Sequence, residues 1–91
     1  MLLTRLRWKP LDRLFMLWVV CLIHYKRERN ESISQRAIKD EFGEEVNDIF
    51  QTYVVSASDQ NLLDYETMQL TDRGMSVVRD WEAINRKLYS F

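Results

Sequence analysis

Ten consecutive apolar residues, Leu14 to Ile23, place the strongest constraint on how this chain can fold. A membrane-spanning helix needs roughly 20 apolar residues, so a run of this length is more typical of a buried helix. The following stretch, His24 to Arg29, is highly charged and offers none of the small residues that a signal-peptide cleavage site requires. We therefore expect a cytoplasmic protein with no membrane segment.

The apolar residues between Leu11 and Tyr25 have helical spacing, and further apolar residues fill the opposite side of the same helix. A helix that is apolar all round must be buried on all sides, and 91 residues build only one small core. We therefore expect a homodimer that buries parts of the first and last helices. The expected interface residues are Phe15, Trp18, Val19, Leu22, Trp81, Ile84 and Leu88. Alternatively, the two ends of one chain cover the first helix.

Capping residues predict two further helices in the middle of the chain. Ser32 and Ser34 are both N-cap candidates for a second helix that ends near Phe42. Gly43 predicts the tight turn after this helix, since glycine commonly follows a helix end. A third helix then begins at Glu44 or Glu45, where acidic residues favour the positive end of the helix dipole.

The region from Leu62 to Leu70 alternates between apolar and polar residues, which predicts two short strands with a turn near Glu66 and Thr67. Thr71 or Asp72 then caps the last helix. A very short strand is also expected at Ile33. The predicted fold is α+β, mainly α, as a single domain over residues 1–91 with a basic N-terminal arm at residues 1–10. Its elements follow the order helix, strand, helix, helix, strand, strand, helix.

The stretch Leu70-Thr71-Asp72-Arg73-Gly74 resembles the L-T-x-x-G signature that opens the last helix in many small winged-helix regulators. MarR-like and PadR-like proteins, and small standalone winged-helix proteins of archaea, their viruses and bacteria, show this signature. With the order of elements over residues 11–91, the resemblance implies a winged helix-turn-helix fold. It also implies a transcriptional regulator that binds double-stranded DNA as a dimer, with its third helix near the major groove and its wing on the backbone or minor groove.

The resemblance further implies which residues contact nucleic acid. On the third helix, Asn47, Gln51 and Thr52 have side chains that can read base edges. Phosphates would be held by cations elsewhere in the chain. These cations are Lys26, Arg27, Arg29, Arg36, Lys39, Arg5 and Arg7.

The distribution of charge favours a different function. Residues 1–39 carry a net charge of +6, whereas residues 40–72 contain nine acidic residues and no Lys or Arg. Glu44, Glu45 and Asp48 on the third helix would repel a polyanion, and segregated charge often marks a binding face. The alternative is therefore a protein-protein interaction module that uses this acidic helix and the wing to bind a basic protein, without binding DNA.

No pattern of catalytic or metal-binding residues stands out in the sequence. His24 and Cys21 are the single histidine and the single cysteine, so no zinc-type cluster is formed. Two glycines are too few for a phosphate-cradling loop. We therefore expect a protein that is not an enzyme and needs no metal or cofactor.

Overall fold

The computed structural model describes residues 2–88, with side chains from residue 11 to residue 87. Four helices and a two-stranded antiparallel sheet make up this part of the chain, which confirms the mainly helical α+β class. The elements are α1 (Leu2–Glu28), α2 (Gln35–Phe42), α3 (Glu44–Asp59), β1 (Leu63–Asp64), β2 (Gln69–Leu70) and α4 (Asp72–Leu88).

Helix α1 is longer than the sequence predicts. It begins at Leu2, so the residues expected to form a separate N-terminal arm belong to the same helix as the apolar run. Pro10 lies within this helix. Leucine and arginine are frequent in residues 2–9 and are good helix formers, which favours the longer helix. Pro10 removes one backbone hydrogen bond from α1 but does not end it.

A single glycine joins α2 to α3, as predicted. Gly43 has φ of 93°, a backbone conformation that residues with a Cβ rarely adopt. Its N–H donates to the carbonyl of Lys39, which closes α2, and its carbonyl accepts from the N–H of Asn47, which opens α3. At the other end of α2, Ser34 is the N-cap, and its hydroxyl accepts a hydrogen bond from the N–H of Ala37 at 3.2 Å.

The hairpin, which we define as residues 63–70, pairs Leu63 with Leu70 and Asp64 with Gln69. Its turn is closed by a 2.7 Å hydrogen bond from the N–H of Met68 to the carbonyl of Asp64. The strand expected at Ile33 is absent from the described residues, because the sheet contains only β1 and β2. Ile33 instead packs its side chain against the core without entering a ladder.

The core lies where α1, α2 and α3 meet and extends to the hairpin and α4. Phe50 of α3 is fully buried, and the ring of Trp18 meets it edge-on with centroids 6.0 Å apart. Ile23 of α1, Ile38 of α2 and Val78 of α4 are also buried. Burying such side chains contributes roughly 1.5–3 kcal/mol each, so this cluster fixes how the four helices are arranged.

The residues just before β1 contact the start of α4 through the Thr71 hydroxyl and through close packing of Gly74. Thr71 accepts a hydrogen bond from the N–H of Gly74 at 3.1 Å, and its own hydroxyl donates to the carbonyl of Asn61 at 2.7 Å. Gly74 packs so closely on the carbonyl of Leu62 that an added Cβ would lie 2.0 Å from that oxygen. Position 71 therefore uses the hydroxyl of a threonine, and position 74 has no room for a side chain.

Candidate interaction surface

The exposed side of α3 carries acidic residues and no cation. Helical spacing places the side chains of Glu45, Asp48, Thr52, Val55 and Asp59 on this side, and all of them are exposed. Glu44 is exposed next to them. We call the four acidic residues Glu44, Glu45, Asp48 and Asp59 the acidic stripe.

No basic side chain between residues 11 and 87 neutralises the acidic stripe. Among the described side chains, no Lys or Arg forms an ion pair with any of its four carboxylates. All four carboxylates are exposed, so a cationic ligand can reach them from solvent. Glu44 and Glu45 also lie in the first turn of α3, where negative charge is stabilised by the helix dipole.

Lys26 is not available to hold a phosphate, contrary to the sequence prediction. It is only 4% exposed and forms ion pairs with Glu31, at 3.1 Å, and with Glu41. Its ammonium also lies 5.7 Å from the ring centroid of Phe42. The side chain therefore links the end of α1 to α2.

Arg27 is exposed but is held by the hairpin. Its Nε donates to the carbonyl of Met68 at 2.9 Å, and its Nη2 donates to the carbonyl of Thr67 at 2.8 Å. Two of its donors therefore fix the hairpin turn against α1, which makes Arg27 a structural residue rather than a free phosphate contact.

Five other cations were predicted to hold phosphates. Arg29, Arg36 and Lys39 are exposed around the end of α1 and along α2. The side chains of Arg5 and Arg7 lie outside the described residues.

The three residues predicted to read bases do not form one exposed row. Asn47 is only 2% exposed, so the prediction that it contacts a base is wrong. Its amide oxygen accepts a hydrogen bond from Gln51 at 3.1 Å. Gln51 is half-buried. Thr52 is exposed, and its hydroxyl donates to the carbonyl of Asp48 at 2.9 Å. Asn47 faces the core because α3 packs against both α1 and α2. The exposed side of α3 is therefore narrower than the distribution of polar residues along this helix indicates.

The residues expected at a dimer interface also differ in their exposure. Val19 is fully buried inside the chain, so it cannot contact a second copy, and that prediction is wrong. Phe15, Trp18, Leu22 and Trp81 are half-buried. Ile84 is 53% exposed, and the side chain of Leu88 lies outside the described residues.

An exposed leucine that the sequence did not single out stands between two apolar grooves. Leu14 of α1 is 59% exposed. On one side, a groove of about 310 Å³ runs between α1 and Trp81 of α4. On the other, a groove of about 400 Å³ lies between α1 and two residues of α3, Val46 and Ile49. Trp18 lines both grooves, so they form one continuous apolar surface with Leu14 at its centre.

The groove between α1 and α4 also contains the single cysteine. Burial, and secondarily the negative charge of Glu82, raises the pKa of the Cys21 thiol to about 11. A thiol with such a pKa is a poor nucleophile at neutral pH. Across the described side chains, no three His, Cys, Asp or Glu residues come together as a metal site. None of the helices that the structure describes combines the length and apolarity needed to cross a bilayer.

Comparison with known proteins gives no relative, since no protein-family model, curated protein or solved structure matches this chain.

Proposed function

We propose that this chain is a non-enzymatic protein-interaction module on a winged-helix scaffold, and that its acidic stripe and hairpin bind a basic protein. The scaffold interpretation rests on the order of elements, in which two helices meet at Gly43 and a hairpin precedes the last helix. The hairpin adds two further exposed carboxylates, Asp64 and Glu66.

One observation carries this proposal: the acidic stripe is exposed, and no cation among the side chains of residues 11–87 pairs with it. Phosphate neutralisation by Lys and Arg supplies most nucleic-acid affinity, whereas this helix would add repulsion. Two of the cations that could compensate, Lys26 and Arg27, are already engaged inside the chain. A cationic protein surface, in contrast, would gain complementary charge and faster association.

A small winged-helix transcriptional regulator, binding DNA as a dimer, is the second candidate. It is favoured by the exposure of Arg29, Arg36 and Lys39, which have no ion-pair partner among the described side chains. These cations would hold phosphates from α2 and from the segment after α1, and Thr52 is an exposed polar residue on α3 that could contact a base.

Fluorescence anisotropy with two labelled probes tests both candidates. The probes are a 20-residue Lys/Arg-rich peptide and a random-sequence DNA duplex, each titrated with the full chain at low salt and then at rising salt. We expect the peptide to bind, and the double variant Glu45→Lys/Asp48→Lys to weaken this binding by about tenfold or more. The DNA duplex should bind weakly or not at all.

A matched charge reversal elsewhere provides the control. Asp40→Lys/Asp80→Lys changes the net charge by the same amount at two exposed positions outside α3, and it should leave the peptide affinity within about threefold. Equal losses in both double variants would show non-specific attraction and would contradict the proposal. If instead DNA binds and Arg36→Ala/Lys39→Ala weakens it with a shallower salt slope, the regulator is the correct function.

A further inference from the structure

We propose that the recess between the middle of α1 and the first turn of α4 binds a small carboxylic acid with an aliphatic body. In this complex the guanidinium groups of Arg13 and Arg73 hold the carboxylate, and the apolar wall of the recess covers the aliphatic body. The inference does not depend on the proposed function, because this recess and the acidic stripe share no residue.

The recess has the size and the construction of a ligand site. Its volume of about 460 Å³ lies within the range of roughly 300–1,000 Å³ that small-molecule pockets occupy. Three parts of the chain form it: α1, the residues that follow α3, and the start of α4. A second recess of about 280 Å³ adjoins it, since Arg13, Met16 and Gln60 line both. Because α1 packs against α3 and α4, the walls are held by the core of the protein.

Two arginines from different helices line this recess. Arg13 comes from α1, and Arg73 comes from the first turn of α4, where the helix dipole adds positive potential. Asp72, the acidic residue of the same turn, is not among the lining residues. Within residues 11–87 neither guanidinium forms an ion pair, so the N–H groups of both are open to an anion. The planar fork of an arginine matches the two oxygens of a carboxylate.

The balance of charge favours an anion with a single negative charge. Asp12 lines the adjoining recess, where its carboxylate accepts a 2.7 Å hydrogen bond from the hydroxyl of Tyr53. Two arginines and one aspartate give a net charge of 2 − 1 = +1, which one carboxylate neutralises. A phosphate monoester carries about 1.5 to 2 negative charges, so it would add repulsion from Asp12 without a further cation to offset it.

The remaining wall of the recess is mostly aliphatic. Leu62 is buried at its base, and Met16, Leu17 and Val77 are half-buried around it. Each methylene that such a wall removes from water strengthens binding by roughly fourfold. The side chains described around the two recesses include no aromatic ring on which a flat ligand could stack. The wall therefore suits an alkyl body.

Titration of the full chain with octanoate at low salt, followed by amide NMR spectra, tests this inference. We expect saturable binding with a Kd below about 1 mM, and the largest shifts at the amides of Leu62, Arg73 and Val77. Octanol has the same alkyl body without the charge, and acetate has the charge without the body. Each should bind at least about tenfold more weakly than octanoate. Octyl phosphate should bind no more tightly than octanoate.

Glutamine substitutions test the two cations. Arg13→Gln and Arg73→Gln should each weaken octanoate binding by about tenfold or more, because each removes a charged hydrogen-bond donor. Both arginines are exposed, so the variants should retain the helical circular dichroism of the wild type. Arg79→Gln is the matched control, since it removes an exposed arginine from the same helix that lines neither recess. It should leave the octanoate Kd within about twofold.

The same experiments contain the results that would overturn the inference. These are no saturable binding of octanoate at millimolar concentrations, octanol that binds as tightly as octanoate, and equal losses in Arg73→Gln and Arg79→Gln. Shifts confined to the surroundings of Trp18 and Trp81 would place the ligand in the groove between α1 and α4, which would also overturn it. Tighter binding of octyl phosphate would overturn the choice of a carboxylate. None of these results would affect peptide binding by the acidic stripe.

Discussion

Lys26 Nζ lies 3.1 Å from Glu31 Oε2 and also donates a hydrogen bond to Glu41, so one buried ammonium joins α1 to α2 and to the loop between them. The hydrogen bond to Glu41 raises the pKa of Lys26 above its ordinary value of 10.5, although burial opposes this shift. The folded chain therefore holds this proton more tightly than the unfolded chain. Its contribution to stability is complete below pH 10.5 and is lost as the pH rises through the higher pKa of the folded state.

Replacing Lys26 with methionine should lower the free energy of unfolding at pH 7 by about 1–3 kcal/mol, because two charged hydrogen bonds are lost. The half-exposed Glu31 and Glu41 regain water in the variant, which limits the loss. Urea unfolding followed by circular dichroism measures the difference. Lys39→Met, at an exposed position on α2, should change stability by less than about 0.5 kcal/mol. Equal effects of the two substitutions would contradict this role for Lys26.

The Gly74→Ala substitution should destabilise the chain by about 3 kcal/mol. The new Cβ would lie 2.0 Å from the carbonyl oxygen of Leu62, and a backbone atom cannot yield as a flexible side chain can. Thermal unfolding provides the measurement. Ser76→Ala, at an exposed position in the same helix, is the control and should leave the melting temperature nearly unchanged. Wild-type stability of the Gly74→Ala chain would show that the backbone at Leu62 can move away to make room for a Cβ.

The thiol of Cys21 should react slowly in the folded chain. With its pKa raised from 9.0 to about 11 by burial, it has about 100-fold less thiolate at pH 8 than it has in the unfolded chain. We expect its reaction with an aromatic disulfide reagent to be at least that much slower in buffer than in concentrated urea. Similar rates in the two solvents would mean that the groove between α1 and α4 opens readily.

Tyr53→Phe should lower the free energy of unfolding by about 1–2 kcal/mol. The Tyr53 hydroxyl donates a 2.7 Å hydrogen bond to Asp12 Oδ1, which links α3 to α1. The substitution keeps the ring, and with it the contact to Phe15, whose centroid lies 5.0 Å away. Tyr65→Phe, on the exposed hairpin turn, should have no measurable effect in the same urea titration. A Tyr53→Phe chain as stable as the wild type would show that water satisfies Asp12 as well as the Tyr53 hydroxyl does.

The helix boundaries were largely readable from the sequence, because they depend on local chemistry. Gly43 ends α2 and opens α3 as expected, and the last helix begins at Asp72. The pattern alone does not decide between Ser32 and Ser34 as the N-cap of α2. The structure selects Ser34, whose hydroxyl reaches the N–H of Ala37.

The candidate sites were less predictable, because exposure depends on contacts between distant residues. Asn47 lies three residues before Phe50 and seven before Val54, so helical spacing already places it on the buried side of α3, and only its polar side chain favoured a base contact. Lys26 is buried because Glu31 and Glu41 compensate its charge, which spacing along one helix cannot reveal. Leu14 belongs to the apolar run, but which member of that run stays exposed is decided by where α3 and α4 lie against α1.

The attachment of the hairpin to α1 has a consequence for the order of folding. Each strand contributes two residues, and a hairpin this short is not stable by itself. Arg27 and Met68, whose hydrogen bond secures the turn, are 41 residues apart, so the intervening chain must be ordered before this bond can form. Helices form within about a microsecond, whereas the hairpin has to wait for α1 to dock. We therefore expect the hairpin to be the last element to reach its native pairing during refolding and the first to lose it during unfolding.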